Sequence, residues 1–271
     1  MRISLVGGDA RMPYAAEALS LMGHEVSLSA HGNIPLSPES LSHAEAVLLP
    51  HPLTRDGSTL FAPEAPLEVP LSVLFSMLPE GVPLLVGREE PLLLPLSASH
   101  PLLAYGTRED FLRRNSHITA EGAVSLLLSR LSLTLSETPC LILGNGRLAT
   151  ALLDLLLGLH TPVTVAARNL RPLPFDGVPL LSLGALPAEL HRFPVIINTV
   201  PACILTPQLL RHARSKALLL ELSGVSHAAP METVTEAGLL YLGAPALPGR
   251  YAPMSAGRAV AEAAADILSS P

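Results

Sequence analysis

Charge is scarce in this chain: 15% of its 271 residues are Asp, Glu, Lys or Arg, against roughly 25% in an average soluble protein. Apolar residues make up 49%, so the chain can bury a core and disorder is excluded. Lysine is almost missing, with Lys216 the single one. That removes any Gly-x-x-x-x-Gly-Lys-Ser/Thr phosphate loop and leaves only Lys216, in a solvated Arg-Ser-Lys context, for Schiff-base chemistry. Cysteine is limited to Cys140 and Cys203, each in an apolar run, which predicts free thiols in a reducing compartment rather than a disulfide framework. The ten histidines are scattered, without His-Glu-x-x-His or paired Cys/His spacing, and no metal site is expected. No Gly-x-Ser-x-Gly elbow supports hydrolase chemistry. Long apolar runs are also lacking: the Leu-rich tract 91–103 is broken by Pro91, Pro95 and Pro101 before it reaches the roughly 18 residues of a membrane span. The opening Met1-Arg-Ile-Ser-Leu-Val-Gly-Gly reads as a strand entering a turn rather than a signal peptide. With a net charge of −6, neither nucleic acid nor an anionic membrane is an expected partner; small molecules or proteins are.

What is present is an alternation of short apolar strands and helical patterns. Residues 3–6 followed by Gly7-Gly8 predict a buried strand and tight turn, and Ala15, Ala18, Leu19 and Met22 continue as a helix that stops at Gly23. Strands are predicted at 25–30, 46–49 and 82–86, with a Pro-rich loop at 50–70 long enough to suggest a function. Val124, Leu127, Leu128, Leu131 and Leu135 predict a helix from Thr119 to Leu135 with Glu121 in an acidic first turn. The grammar then repeats: strand 140–143, a glycine turn, helix 147–158, and strands at 163–167, 179–183, 195–199, 217–222 and 239–242. The fold expected is α/β, a Rossmann-type doubly wound parallel sheet preceded by a smaller flavodoxin-like α/β domain. The divisions are 1–116 for the N-terminal, substrate-side domain, 117–137 for a linking helix, 138–250 for the dinucleotide domain, and 251–271 for a C-terminal helix expected to pack back on the first domain.

The strongest chemical signal is Gly144-Asn145-Gly146-Arg147-Leu148-Ala149. It follows a strand, opens a helix and fits G-x-G-x-x-A, the pattern in which small residues let the backbone reach a pyrophosphate at a helix N-terminus. The second strand ends Ala166-Ala167-Arg168-Asn169, where an acidic residue would serve a free ribose hydroxyl. Arg168 suits a 2′-phosphate instead, so NADP is expected rather than NAD, with a plain surface cation as the alternative. Strand 195–199 ends Asn198-Thr199-Val200-Pro201 at the edge where such sheets bind ligands. Asn198, Thr199 and Pro201 are therefore candidates for lining the ribose or nicotinamide, or else ordinary turn residues.

Gly7-Gly8-Asp9-Ala10-Arg11, Asn115-Ser116 with Thr119-x-Glu121-Gly122, Gly144-x-Gly146-Arg147, Ile197-Asn198-Thr199-Val200-Pro201, and Leu247-Pro248-Gly249-x-x-Ala252-Pro253-x-x-Ala256-Gly257 occur in this order in one chain. Together they resemble the dipicolinate synthase A-subunit family. The resemblance implies an NADP-dependent dehydrogenase-like component that works with a second, flavoprotein-like subunit of the synthase. It further implies dipicolinate made from a hydroxytetrahydrodipicolinate of the lysine pathway, in the mother-cell cytoplasm of a sporulating bacterium. A cyclic dicarboxylate needs cationic and N–H contacts. Arg11 is the first choice, with Asp9, Thr119 and Gly249 completing the substrate side; Arg11 pairing with Asp9 or Glu17 is the competing reading. Loss of a ring proton suits Glu121, and after it His117. The chain has Ser223-Gly224-Val225-Ser226-His227-Ala228 where the family has Ala-Ser-x-Pro-Gly-Gly. A non-catalytic, cofactor-binding or scaffolding role in that complex is the alternative function, and a homo-oligomer is left open.

Overall fold

A computed structural model describes residues 1–224 and 230–269, so Val225-Ser226-His227-Ala228 of the departing loop lie outside the described residues. The chain forms two compact units, Met1–Asn115 with Pro248–Pro271, and Ser116–Leu247. The fold is α/β, with a parallel sheet in each unit.

In the first unit the order along the chain is β1 (Arg2–Val6), α1 (Arg11–Leu21), β2 (Glu25–Ser29), α2 (Pro38–Leu41), β3 (Ala46–Leu48), α3 (Leu71–Met77), β4 (Leu84–Val86) and β5 (Leu102–Ala104). The sheet runs β2-β1-β3-β4-β5, the flavodoxin-like order. The central strands are buried on both faces, as parallel strands covered by helices must be: β3 and β4 are buried throughout. α1 buries Met12, Ala15, Ala18 and Leu19 on one face and ends at Gly23, whose φ of +90° is the left-handed conformation that stops a helix.

α4 (Glu109–Arg130) leads into the second unit. It starts at Glu109 rather than at the predicted Thr119. Glu109 and Asp110 supply the favourable negative charge at its first turn, and Arg130 the positive charge at its last. Glu121 is therefore mid-helix, about three turns in, and not a first-turn acid. Within 117–137, Ala120, Ala123, Val124 and Leu127 share one core with Cys140, Ile142, Leu152 and Leu156.

The second unit continues through β6 (Cys140–Leu143), α5 (Arg147–Gly158), β7 (Val163–Ala167), β8 (Leu180–Ser182), α6 (Leu186–Glu189), β9 (Val195–Asn198), α7 (Pro207–Leu210), β10 (Leu218–Glu221), α8 (Met231–Glu236) and β11 (Leu240–Gly243). Its sheet order, β11-β10-β9-β6-β7-β8, is the doubly wound Rossmann order, which reverses between β6 and β9.

α9 (Leu247–Tyr251) and α10 (Pro253–Ser269) close the chain. α10 is rich in alanine and packs with α1 and β1: Ala259, Val260, Ala263 and Ala264 share a core with Ile3, Leu5, Ala15 and Leu19. A Cβ on Gly257 would stand 2.4 Å from the Arg11 carbonyl oxygen and 2.8 Å from Tyr14 Cβ, so the Ala256-Gly257 motif is what permits this close crossing.

The two cysteines differ in reactivity. Cys140 is buried in β6, its thiol donates to the Thr138 carbonyl at 3.3 Å, and burial pushes its pKa up to about 12; Cys203 is exposed. A thiol reagent at neutral pH is expected to label Cys203 in the native protein and Cys140 only after denaturation. Rapid double labelling of the folded chain, read by mass spectrometry, would contradict this.

Candidate functional site

At the switch point of the second sheet, β6 delivers the glycine turn and β9 the Asn198-Thr199 turn side by side, with Leu143 in register with Asn198. The two fingerprint glycines do different work. Gly144 has φ +107°, and a Cβ there would lie 2.5 Å from Thr199 Oγ1 and 3.1 Å from Val200 Cγ2, so this glycine lets the β6 and β9 turns touch. Gly146 has no atom within 4 Å of the place a Cβ would take. It is exposed and forms the N-cap of α5 without any side-chain cap. The positive dipole end of the helix thus starts at a residue with open space at its Cβ position, the arrangement that receives a phosphate. Arg147 and Leu148 open the helix, and Ala149 is buried where the helix packs on the sheet. Asn145 reaches across the surface: its Nδ2 donates to the Asn169 carbonyl at 2.7 Å. That bond ties the fingerprint turn to the loop after β7 and brings the exposed Arg168 into the same neighbourhood.

Asn198 is fully buried, which differs from the expectation that its side chain lines a ligand. Its Nδ2 donates to Glu221 Oε2 at 2.7 Å and its Oδ1 accepts from the Val200 amide at 3.1 Å. Glu221, also buried, accepts the Ser223 amide at 2.8 Å. The pair shapes the carboxyl ends of β9 and β10 from within. Thr199 Oγ1 donates to the Leu143 carbonyl at 2.7 Å, while Pro201 lies exposed beyond the turn. A surface depression of the second unit lined by Pro139, Thr161, Pro162, Asp176 and Arg192 sits at the amino ends of β6, β7 and β9, the edge of such sheets where ligands do not bind.

In the first unit Asp9 and Arg11 form a fork. Arg11 Nε donates to Asp9 Oδ1 at 2.7 Å and Nη2 to Oδ2 at 3.1 Å, and the Arg11 amide reaches Oδ1 at 3.2 Å. Only 12% of the Arg11 side chain and 15% of that of Asp9 are exposed, so this pair is largely desolvated. Of the readings for Arg11, pairing with Asp9 is the one observed. Nη2 also donates to the His51 carbonyl at 2.7 Å, which leaves Nη1 without a partner among the described residues. Gly249 is buried against this fork: a Cβ there would be 2.7 Å from Asp9 Oδ2. The Gly-Gly-Asp-Ala-Arg and Leu-Pro-Gly motifs are therefore parts of one contact. Thr119, His117 and Glu121 lie on α4 in the other unit, Thr119 half-buried and the other two exposed.

Sequence reasoning missed His51 and the glycines beneath it. A Cβ on Gly87, just past β4, would be 2.4 Å from His51 Cβ, Cγ and Nδ1; one on Gly106, just past β5, would be 2.1 Å from the Gly87 carbonyl oxygen. Burial first, then the Arg11 and Arg88 guanidiniums, hold the His51 pKa below the ordinary histidine value. The available signal was the long Pro-rich loop that His51 opens. Among the described residues no three His, Cys, Asp or Glu side chains cluster to hold a metal, and no helix is long and apolar enough to cross a membrane.

Residues 2–102 match the family model of the N-terminal domain of the dipicolinate synthase A subunit. The dipicolinate synthase A subunit of Bacillus subtilis (strain 168) is 27% identical over 174 residues, which cover 63% of this chain and 59% of that protein, so the match spans less than two thirds of that relative's length. The crystal structure of the dipicolinate synthase A subunit from Bacillus halodurans superposes with a TM-score of 0.86 at 22% identity, over 100% of this chain and 98% of that one. L-alanine dehydrogenase shares the fold more distantly, with a TM-score of 0.67 at 15% identity over 99% of this chain and 89% of that one. The motifs and their contacts, the family match over residues 2–102 and the shared fold together identify the chain as resembling the dipicolinate synthase A-subunit family.

Proposed function

We propose that this chain is the dehydrogenase-type component of a dipicolinate synthase, that it binds NADP, and that it acts on a hydroxytetrahydrodipicolinate-derived ring with two carboxylates. The observation that carries the cofactor half is the N-terminus of α5, whose N-cap Gly146 offers no side chain and has open space at its Cβ position, at the reversal point of a Rossmann sheet. A nicotinamide dinucleotide bound there would supply the hydride acceptor or donor. Gly144 holds the turn against Thr199, the Gly146–Ala149 backbone meets the pyrophosphate, and Arg168 receives the 2′-phosphate. A second, flavoprotein-like subunit completes the synthase in this reading, and the setting is the mother-cell cytoplasm during sporulation. That the relatives are themselves one named subunit of a synthase supports the partner.

The test is cofactor choice. The full chain is expected to bind NADPH more tightly than NADH, and Arg168→Ala to erase the difference. Loss of a charge-assisted phosphate contact costs about 1.5–3 kcal/mol, on the order of tenfold or more in affinity. Calorimetry giving equal affinity for the two cofactors in the unaltered protein would remove NADP from the reading. A wild-type chain that binds neither would remove the dehydrogenase.

A further inference from the structure

We infer that the carboxyl edge of the first sheet carries a carboxylate-binding site built on His51 and Arg88 beside the Asp9–Arg11 fork, and that its ligand is a small ring carboxylate. The dicarboxylate chemistry rests on the function proposed above; the site itself rests on geometry within the first unit.

Its place comes from topology. The strand order β2-β1-β3-β4-β5 reverses between β1 and β3, and ligands of open parallel sheets bind beyond the carboxyl ends at such a reversal. The segments leaving these two strands are Gly7–Arg11 and Leu49–His51, and they are joined by the Arg11 Nη2 bond to the His51 carbonyl. The neighbouring β4 is followed directly by Gly87 and Arg88.

The seating of the imidazole is specific. Gly87 meets Cβ, Cγ and Nδ1 of His51 so closely that no side chain fits between them, and Gly106 repeats the device one strand further out. Neither glycine has positive φ, so close packing, not backbone freedom, is what requires them. The ring is half-buried, yet neither ring nitrogen has a hydrogen-bond partner among the described residues. Burial and the two guanidiniums favour the neutral ring, which has one N–H donor and one lone pair to offer.

The surrounding charges favour an anion. Among the described residues Arg11 keeps Nη1 unpartnered, and Arg88 engages only Glu90, through Nε to Oε1 at 3.3 Å, with 65% of its side chain exposed. Its two terminal nitrogens have no partner among the described residues and carry the planar fork that suits a carboxylate. Asp9 and Glu90 are the acids nearby, each already engaged by an arginine. A carboxylate taken by Arg88 and Arg11 Nη1 would leave the ring nitrogen of a pyridine-type ligand facing His51. This assigns the role of ring-facing polar group to His51, where the sequence pointed to Glu121 and after it His117.

The experiment uses the full-length chain with pyridine-2,6-dicarboxylate as the probe, titrated calorimetrically, and NADPH titrated separately. Arg88→Ala and His51→Gln are each expected to weaken dicarboxylate binding about tenfold or more with NADPH affinity unchanged. Because His51→Gln can disturb packing on Gly87, ¹⁵N-histidine NMR of the unaltered protein supplies a second measurement: the His51 ring signals should move when the dicarboxylate is added. Unchanged dicarboxylate affinity in both variants, or a wild-type chain whose His51 signals do not move at saturating dicarboxylate, overturns the site. Failure of the dehydrogenase reading shows differently, as absence of NADPH binding in the wild type.

Discussion

Gly146→Val is expected to abolish dinucleotide binding in a protein that still folds. No atom lies within 4 Å of the Cβ position at Gly146, and its φ of −88° and ψ of −171° are ordinary extended values. The substitution therefore meets no steric penalty in the free protein; a poorer N-cap costs about 1 kcal/mol at most. In the complex the branched side chain would occupy the approach of the pyrophosphate to the amides of α5, and both the contact and the helix-end charge interaction would be lost. The expected readout is no detectable calorimetric heat with NADPH and a circular dichroism melt close to that of the unaltered chain. Normal NADPH binding by the variant would leave the glycine turn a purely structural feature. Gly144→Val makes the opposite comparison, since φ +107° and a 2.5 Å approach to Thr199 Oγ1 penalise the fold itself.

Asp9→Ala should destabilise the first unit strongly. The carboxylate receives two bonds from the Arg11 guanidinium and one from the Arg11 amide, and both side chains are more than four-fifths buried. Removing one member of such a pair strands the other's charge, at a cost of about 3–5 kcal/mol. Arg11 retains its bond to the His51 carbonyl, which offsets part of the loss. Urea denaturation followed by circular dichroism is the measurement, with the double variant Asp9→Ala/Arg11→Met expected to recover stability relative to Asp9→Ala alone. A loss below about 1 kcal/mol would show the fork to be as weak as an exposed ion pair.

Much of the architecture was legible because parallel strands covered on both faces read as unbroken apolar runs. Ile142, Val165, Ile197 and Leu220 are buried core residues of strands that pair with one another across the sheet. The glycine fingerprint was equally plain, since its meaning lies within six consecutive residues. β5 escaped notice because Pro101 and the prolines before it mark the segment as broken, although a proline just ahead of a strand costs the ladder nothing. The start of α4 was hidden by Arg113, Arg114 and Asn115, which interrupt the apolar period while remaining compatible with an exposed helical face. Long-range partnerships were the least accessible. Nothing local says that Asn198 turns inward to Glu221, that Gly249 makes room for Asp9, or that Gly87 exists to seat His51. In each case the second residue is remote in sequence, and only the folded chain brings the polar group or the missing Cβ to its partner.

The joining of α10 to α1 also sets an order of events during synthesis. The core that contains Ile3, Leu5 and Leu19 draws Val260, Ala263 and Ala264 from more than 200 residues downstream, whereas the core of the second unit lies wholly between Ala120 and Leu247. On the ribosome the second unit can complete its own interior before α10 has been made. The earlier-made first unit must wait with one apolar flank of α1 uncovered. The ends of the chain are thus bound into one body by the last long helix, and the Rossmann unit is in effect an insertion within a domain that finishes folding after it.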